Sequence, residues 1–209
     1  MAMAQALKLE LQENRISIML SQMRPHFIFN TLNTIYHLCD LDPEKAKSTL
    51  SSFSTYLRNN INNLGQSEMI YFEKELSFVN AYLDIEKVRF DDELLISYDI
   101  AASNFKLPVL TVQPIVENAI KYGDGSRISL HFSEEDGCVL ICVRNTGCTL
   151  PDTELPHIFD SFWRGSNAGK HKGSGLGLYI CRQLMHKMGG DIFAETSDGR
   201  MIVTTVFPK

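Results

Sequence analysis

Four short segments carry side chains that could act together on a phosphate ester. In Gly173-Ser174-Gly175-Leu176-Gly177-Leu178, three alternating glycines open an apolar-periodic run. Such a turn lets backbone N–H groups approach a polyanion, and a helix N-terminus adds partial positive charge. Lys170, His171 and Lys172 precede it and raise the local positive potential. The spacing is neither that of a Walker loop nor that of a dinucleotide-binding fingerprint. A flexible hinge beside solvated cations fits the same residues. In Pro114–Gly123, Glu117, Asn118 and Lys121 fall on one helical face, with 117 and 121 one turn apart. A carboxylate, an amide oxygen and an ammonium supply what Mg²⁺ and phosphate require: hard oxygen ligands and a counter-cation. An exposed polar face with one salt bridge is the plainer alternative. Asn145 ends an apolar run and is followed two residues on by Gly147. Its side-chain oxygen could receive an adenine amino group, or the segment could simply be a strand leaving its sheet. Finally, His26 lies in Arg24-Pro25-His26-Phe27-Ile28-Phe29-Asn30. A neutral imidazole keeps a lone pair on one ring nitrogen and is a competent nucleophile toward phosphorus. Asn30, one turn on, could orient the ring.

These residues need elements to position them. Ile16, Leu20, Met23 and Phe27 recur at helical spacing. Gln22, His26, Asn30, Asn33 and His37 form a second stripe, roughly 80° wide at about 100° per residue. The first helix therefore pairs an apolar seam with a polar face bearing His26, and Pro25 should bend it. Asp42-Pro43-Glu44 is a helix start, with Asp as N-cap, Pro at the first position and an acid in the first turn. Ala46, Leu50, Phe53, Leu57, Ile61 and Leu64 continue it, and Gly65 is a stop. One helical hairpin offers too little surface to bury both seams. Two copies packed as a four-helix bundle solve this, and burial against the rest of the chain is the alternative.

A third helix is expected over about 71–90, a strand over 94–100 and a helix over 108–122. Strands follow over 128–132 and 139–143, on either side of a polar turn at Glu134–Gly137. Residues 165–175 read as a mobile loop, and 176–188 as a helix ended by Gly189-Gly190. Ile192–Thr196 and Met201–Phe207 pair across Ser197-Asp198-Gly199. The division between the hairpin and this mostly antiparallel α+β region is expected near residue 66.

Composition narrows the classes. The 209 residues are 44% hydrophobic and 22% charged, which suits one or two globular domains. A net charge of −5 without a long basic run argues against nucleic acid or an anionic membrane surface as partner. No apolar stretch approaches the roughly 20 residues of a membrane span, so the chain as given should be soluble. The cysteines (Cys39, Cys138, Cys142, Cys148, Cys181) are odd in number and lack metal-site spacing, which fits reduced thiols in a cytosolic protein.

Taken together, the segments resemble sensor histidine kinases of the LytS (YehU-like) type, in the right order over nearly the whole chain. Gln22-x-x-Pro25-His26-Phe27-x-Phe29-Asn30 with Leu32-Asn33 looks like the family's phospho-acceptor box, and Tyr82-Leu83-x-Ile85-Glu86-x-x-Arg89-Phe90 resembles its linker helix. Glu117-Asn118-Ala119 to Lys121 resembles the N-box of the ATPase superfamily shared with heat-shock chaperones, gyrases and mismatch-repair proteins. Ile158-Phe159-x-x-Phe162 resembles the F-box, and Gly173–Leu178 the second glycine box.

The resemblance implies two regions. Residues 1–66 would be a dimerisation and histidine-phosphotransfer hairpin, forming a dimeric four-helix bundle. Residues 67–209 would be a Bergerat-type α/β sandwich with a mixed, mostly antiparallel sheet that binds ATP and Mg²⁺. It implies autophosphorylation of His26 and transfer to an aspartate of a response-regulator receiver domain, docked on the polar stripe around His26. Asn118 would hold Mg²⁺, with Glu117 assisting as a base or through the metal's waters. Lys121 would contact phosphate and Tyr122 would lie near the nucleotide, while Gly173, Gly175, Leu176 and Gly177 would line the phosphates. Asn145 and Gly147 would receive adenine, and Phe159 and Phe162 would anchor a lid. Family members usually carry an N-terminal membrane-spanning sensor, so this chain is expected to be the cytoplasmic portion of a longer membrane protein.

Two departures qualify the pattern. The first glycine box normally begins with Asp where this chain has Asn145, and Thr149 replaces its second glycine. An amide oxygen still accepts a hydrogen bond, but a charged acceptor is about twice as strong, so ATP should bind more weakly. Phe27 stands where many other histidine kinases carry an acid after the phospho-acceptor, so their base assignment does not transfer. Two rival readings remain: a dimeric nucleotide-binding regulator without kinase activity, and an ATP hydrolase.

Overall fold

The computed structural model describes residues 25–62, 69–169 and 173–209. Ile16, Leu20, Gln22, Met23, Leu64, Gly65 and the cations at 170–172 lie outside these. The chain divides into two compact units, Met1–Gln66 and Ser67–Lys209.

In the first unit, α1 (Pro25–Leu41) and α2 (Pro43–Asn62) form the expected helical hairpin. The α2 start follows from its sequence. Asp42 Oδ1 accepts the Lys45 N–H at 3.0 Å, Pro43 occupies the first helical position, and the Ala46 N–H donates to Asp42 O. The helices meet through Phe27, Thr31 and Ile35 on α1 and Ala46, Thr49, Phe53 and Tyr56 on α2. The Phe27 and Tyr56 rings lie 4.8 Å apart. The buried hydroxyls of Thr31 and Thr49 donate to the carbonyls of Phe27 and Lys45, one turn back. Of the expected α2 seam, the hairpin buries Ala46 and Phe53, while Leu50 and Ile61 face outward, 48% and 54% exposed. Thr and Tyr contribute to the contact because a partly apolar side chain packs as well as Leu when its hydroxyl finds a partner.

The second unit is a two-layer α/β sandwich. Its five-stranded sheet has the order β2-β4-β5-β7-β6, from β2 (Leu95–Ile100), β4 (Arg127–Glu135), β5 (Cys138–Thr146), β6 (Asp191–Ser197) and β7 (Arg200–Pro208). Only the β2–β4 pair is parallel. Both hairpins turn on two left-handed residues, Asp136-Gly137 and Asp198-Gly199, whose twist matches the flanking strands. Alternate residues (Ile128, Leu130, Phe132; Val139, Ile141, Val143) form a buried face. The helices α3 (Phe72–Arg89), α4 (Gln113–Tyr122) and α5 (Gly177–Lys187) complete the unit. The ring of Phe72 on α3 packs at a tilt against Phe132 at 4.7 Å and Phe105 at 4.8 Å.

Two local expectations are corrected. The helix read over 108–122 begins only at Gln113. Residues Lys106–Pro108 instead form β3, antiparallel to the three-residue strand β1 (Met69–Tyr71). The Leu110 backbone adopts φ 60°, which ends one element before the next begins. Within 165–175, Ser166–Ala168 is a 3₁₀ turn with Ala168 buried, so part of the expected loop is packed.

Candidate functional site

His26 stands exposed in the first turn of α1, beside the buried Phe27 that fixes the helix against α2. The side-chain amide of Asn30 lies 3.2 Å from His26 Nδ1 and 3.4 Å from Nε2. The two ends of that amide exchange by a half-turn. With Asn30 Oδ1 toward the ring, one ring nitrogen donates its N–H and the other keeps the lone pair that a nucleophile needs.

In the second unit the glycine box closes on the 114–123 helix and on the Phe162-Trp163 segment. A side-chain carbon at Gly173 would lie 2.7 Å from Lys121 Nζ, and one at Gly177 would lie 3.5 Å from Asn118 Nδ2. At Gly175 it would meet Trp163 O at 2.5 Å and the Phe162 backbone, and this glycine has φ +70°. Glycine is therefore required at Gly175 by both conformation and space. The turn runs into α5, whose first residues are Gly177 and Leu178, so its N–H groups open toward the same face. Leu176, Asn118, Lys121 and Tyr122 are half-buried. Lys121 Nζ stands 4.7 Å above the Tyr122 ring, and Glu117 is 8% exposed.

Asn145 sits on the central strand and is 6% exposed; its Nδ2 donates to Thr146 O at 3.2 Å. The end of α4 closes on it: a side-chain carbon at Gly123 would lie 2.8 Å from Asn145 Nδ2. Asp124 ties this corner together. Its Oδ1 accepts from Ser126 N, Ser126 Oγ and Thr146 Oγ1, and its own N–H donates to Thr146 O. The Ser126 bonds hold the Asp124 carboxyl below its ordinary range. Gly147 faces Asp124 at 2.4 Å from a notional side-chain carbon, which again leaves room only for glycine. Of the two F-box aromatics, Phe159 is buried under Arg182, whose guanidinium lies 5.7 Å from the ring. Phe162 points outward, 71% exposed, from a left-handed backbone.

The sequence reading passed over three groups that build this site. Asp124 was missed because its role depends on strand pairing 22 residues away. Gln113 was missed although it lies one turn before Glu117 on the same helix: Nε2 donates to Glu117 Oε1 at 2.9 Å. Glu75 was missed because nothing in its type or spacing sets it apart from other first-turn acids, yet it is fully buried. Among the described residues no cluster of three metal-ligating side chains occurs. No described helix is long and apolar enough to cross a membrane.

A two-layer sandwich with a glycine turn closed on an Asn-and-Lys helix defines a nucleotide-binding ATPase fold, and comparison with known proteins agrees. The family model "Histidine kinase-, DNA gyrase B-, and HSP90-like ATPase" matches residues 106–209, and "Histidine kinase" matches residues 14–94. The chain is 35% identical over 190 residues to the sensor histidine kinase BtsS of Escherichia coli (strain K12), covering 88% of this chain and 31% of that protein. It is 32% identical over 183 residues to the sensor protein LytS of Streptococcus agalactiae serotype V, covering 85% and 30%. The solved catalytic domain of histidine kinase ThkA superposes with a TM-score of 0.56 at 22% identity, over 69% of this chain and 96% of that domain. This chain belongs to the histidine kinase family. It spans about a third of the length of the curated relatives it matches.

Proposed function

We propose that the chain is the kinase portion of a two-component sensor, transferring the γ-phosphoryl group of ATP to His26 and from there to an aspartate of a response regulator. One observation carries this reading. A single chain holds both an exposed helical imidazole beside an amide and a glycine turn closed on Asn118 and Lys121. A hydrolase needs only the second of these.

In the proposed step the free lone pair of the His26 ring attacks the γ-phosphorus in line. The N–P bond forms as the bond to the bridging oxygen breaks, and ADP leaves with the electron pair. Asn30 holds the ring in the reactive tautomer. Lys121 and the N–H groups of the Gly173–Gly177 turn neutralise phosphate charge, and Asn145 receives the adenine amino group. The donor set fits Mg²⁺: one amide oxygen from Asn118 with a carboxylate nearby suits an ion that keeps most of its coordination for phosphates and water. Bound there, the ion would supply charge neutralisation between the phosphates. Glu117 serves as a base or acts through water around the phosphates.

Homodimerisation is supported by Phe29, Leu32, Tyr36 and Leu50, which the hairpin leaves exposed. A receiver domain would dock on the polar stripe around His26, since its aspartate must reach the same nitrogen. ThkA has been solved in complex with the response regulator protein TrrA, and that ThkA chain shares this fold at a TM-score of 0.53 and 17% identity. A membrane-bound sensor region would account for the greater length of the relatives.

The test is incorporation of labelled γ-phosphate from Mg-ATP, with His26→Gln in parallel. The expected result is acid-labile label that falls at least about 100-fold in the variant, with ATP binding retained. Label that persists in His26→Gln would remove His26 as acceptor. Binding without label in either protein would favour the regulator reading, which Asn145 in place of an acid supports.

A further inference from the structure

Gln113 is 2% exposed, and its Nε2 donates to Glu117 Oε1 at 2.9 Å. Its own Oε1 is buried without a hydrogen-bond partner among the described residues. An unpaired buried acceptor lowers stability, so good internal pairing does not explain this amide. The contact it does make is to the carboxylate beside the Mg²⁺- and phosphate-binding residues.

The backbone that carries Gln113 is held unusually firmly. Glu75 Oε2 accepts the Leu110 N–H at 2.9 Å, and Glu75 Oε1 accepts those of Val112 at 2.8 Å and Gln113 at 3.4 Å. Those of Val112 and Gln113 lie at the start of α4, where the helix itself offers no acceptor and there is no side-chain cap. Leu110 has φ 60°, a conformation a bulky residue keeps only where its surroundings enforce it. From α5, Cys181 Sγ donates to Thr111 O at 3.4 Å, and Thr111 Oγ1 donates to Pro108 O at 2.6 Å. Residues 108–113 are thus pinned from α3 and α5, and Gln113 leaves that pinned turn toward Glu117.

We infer that Gln113 is a positioning residue for phosphoryl transfer: anchored through its backbone by Glu75, it fixes one oxygen of Glu117 and thereby sets where the other points. This rests on the reading of Glu117 as a participant in the reaction. Three titratable groups surround the pair: Glu75 on α3, Cys181 on α5, which feels both carboxylates, and Lys121 one turn further along α4.

The test compares Gln113→Met, Gln113→Glu and Glu117→Gln in the whole chain. Autophosphorylation rate and binding of a non-hydrolysable ATP analogue are measured separately. Gln113→Met keeps the volume and removes the donor. The rate at saturating ATP should fall about 10- to 100-fold with nucleotide affinity within about threefold of wild type. In Gln113→Glu two carboxylates face one another and can share a proton. That variant should be slow at pH 8 and regain at least about tenfold, relative to wild type, toward pH 6, as a carboxylic O–H replaces the amide N–H.

An unchanged rate in Gln113→Met, or a wild-type pH profile in Gln113→Glu, would overturn the inference. So would loss of folding in both variants, which would assign Gln113 to stability. Glu117→Gln separates the two levels. If it retains full rate, the reading of Glu117 itself fails; if it is slow while Gln113→Met is not, only the positioning inference falls.

Discussion

The hairpin and the sandwich solve the burial problem differently. The sandwich encloses a core of large apolar side chains, with Phe72, Tyr82, Phe132 and Phe207 all at 2% exposure or less, and leaves others such as Phe162 and Phe193 outside it. The hairpin is one helix thick on either side of its seam. It buries Phe27, Ile35, Phe53 and Tyr56, yet leaves Phe29 at 66%, Tyr36 at 71% and Leu50 at 48% exposure. Both helices thus carry a second apolar stripe. A unit that encloses its core can be stable alone, whereas a hairpin with an outward stripe is half of a larger core. The difference matches the chemistry proposed for each: nucleotide binding needs a rigid pocket, and a phospho-acceptor needs an accessible face.

The sharpest way to break that comparison is to charge the outward stripe. Leu50→Lys leaves the contact between α1 and α2 untouched. In a two-fold assembly the substitution enters twice and buries two ammonium groups. Association should weaken by at least about 100-fold, with the sandwich's thermal transition unmoved. Sedimentation across a micromolar concentration series measures it. A wild-type chain that is monomeric throughout, or a variant that associates as tightly as wild type, would end the dimer reading.

The same two regions show how much the sequence disclosed. Helix starts were legible where the chemistry is local: Asp42-Pro43-Glu44 begins α2 as read, because N-cap, proline and first-turn acid act within one turn. The strands of the main sheet were legible by alternation, and the two Gly-containing turns by composition. On α2 apolar spacing picked out Ala46 and Phe53, which the hairpin buries, but not Thr49 and Tyr56, whose hydroxyls hid their part in the packing. In the sandwich the glycine box, Asn118 and Lys121 were named from residue type, and the structure brings them together. Glu75 and Gln113 were not, because the meaning of each depends on tertiary contacts that no spacing reveals. Glu75 reaches backbone groups 35 to 38 residues away.

Glu75 supplies the second prediction, since the described hairpin has no buried carboxylate. Burial pushes the Glu75 carboxyl up from 4.5 to about 7, against the lowering effect of its backbone donors. Between those two values the folded protein binds more protons than the unfolded chain, so its stability must fall as pH rises. The contribution is full below about pH 4.5 and gone above about pH 7, a span worth about 3 kcal/mol. Asp124 and Asp191, both held below 3.8, act with the opposite sign and below this window. Glu75→Gln is neutral throughout. The stability of wild type relative to this variant should therefore decline by about 3 kcal/mol from pH 4.5 to 7, measured by urea unfolding of the sandwich. A difference that is flat or rises with pH would mean that Glu75 is ionised in the fold at all these values.

The smallest effect expected is at Asn145, where two terms of opposite sign meet. Asn145→Asp restores the charged acceptor that the resembled family carries, which should strengthen the bond from an adenine amino group by about 1 kcal/mol, or about fivefold in affinity. The same carboxylate would lie at a position only 6% exposed, lose the bond from Asn145 Nδ2 to Thr146 O, and stand near Asp124, whose N–H donates to that same carbonyl. The nucleotide-free protein should therefore lose about 1–2 kcal/mol of stability. Binding calorimetry with ATP and unfolding without it read the two terms separately. Tighter binding with a less stable free protein is the expected pair. A lower melting point without tighter binding would mean that adenine does not meet this residue, and the base would have to be held elsewhere along the Gly123–Gly147 corner.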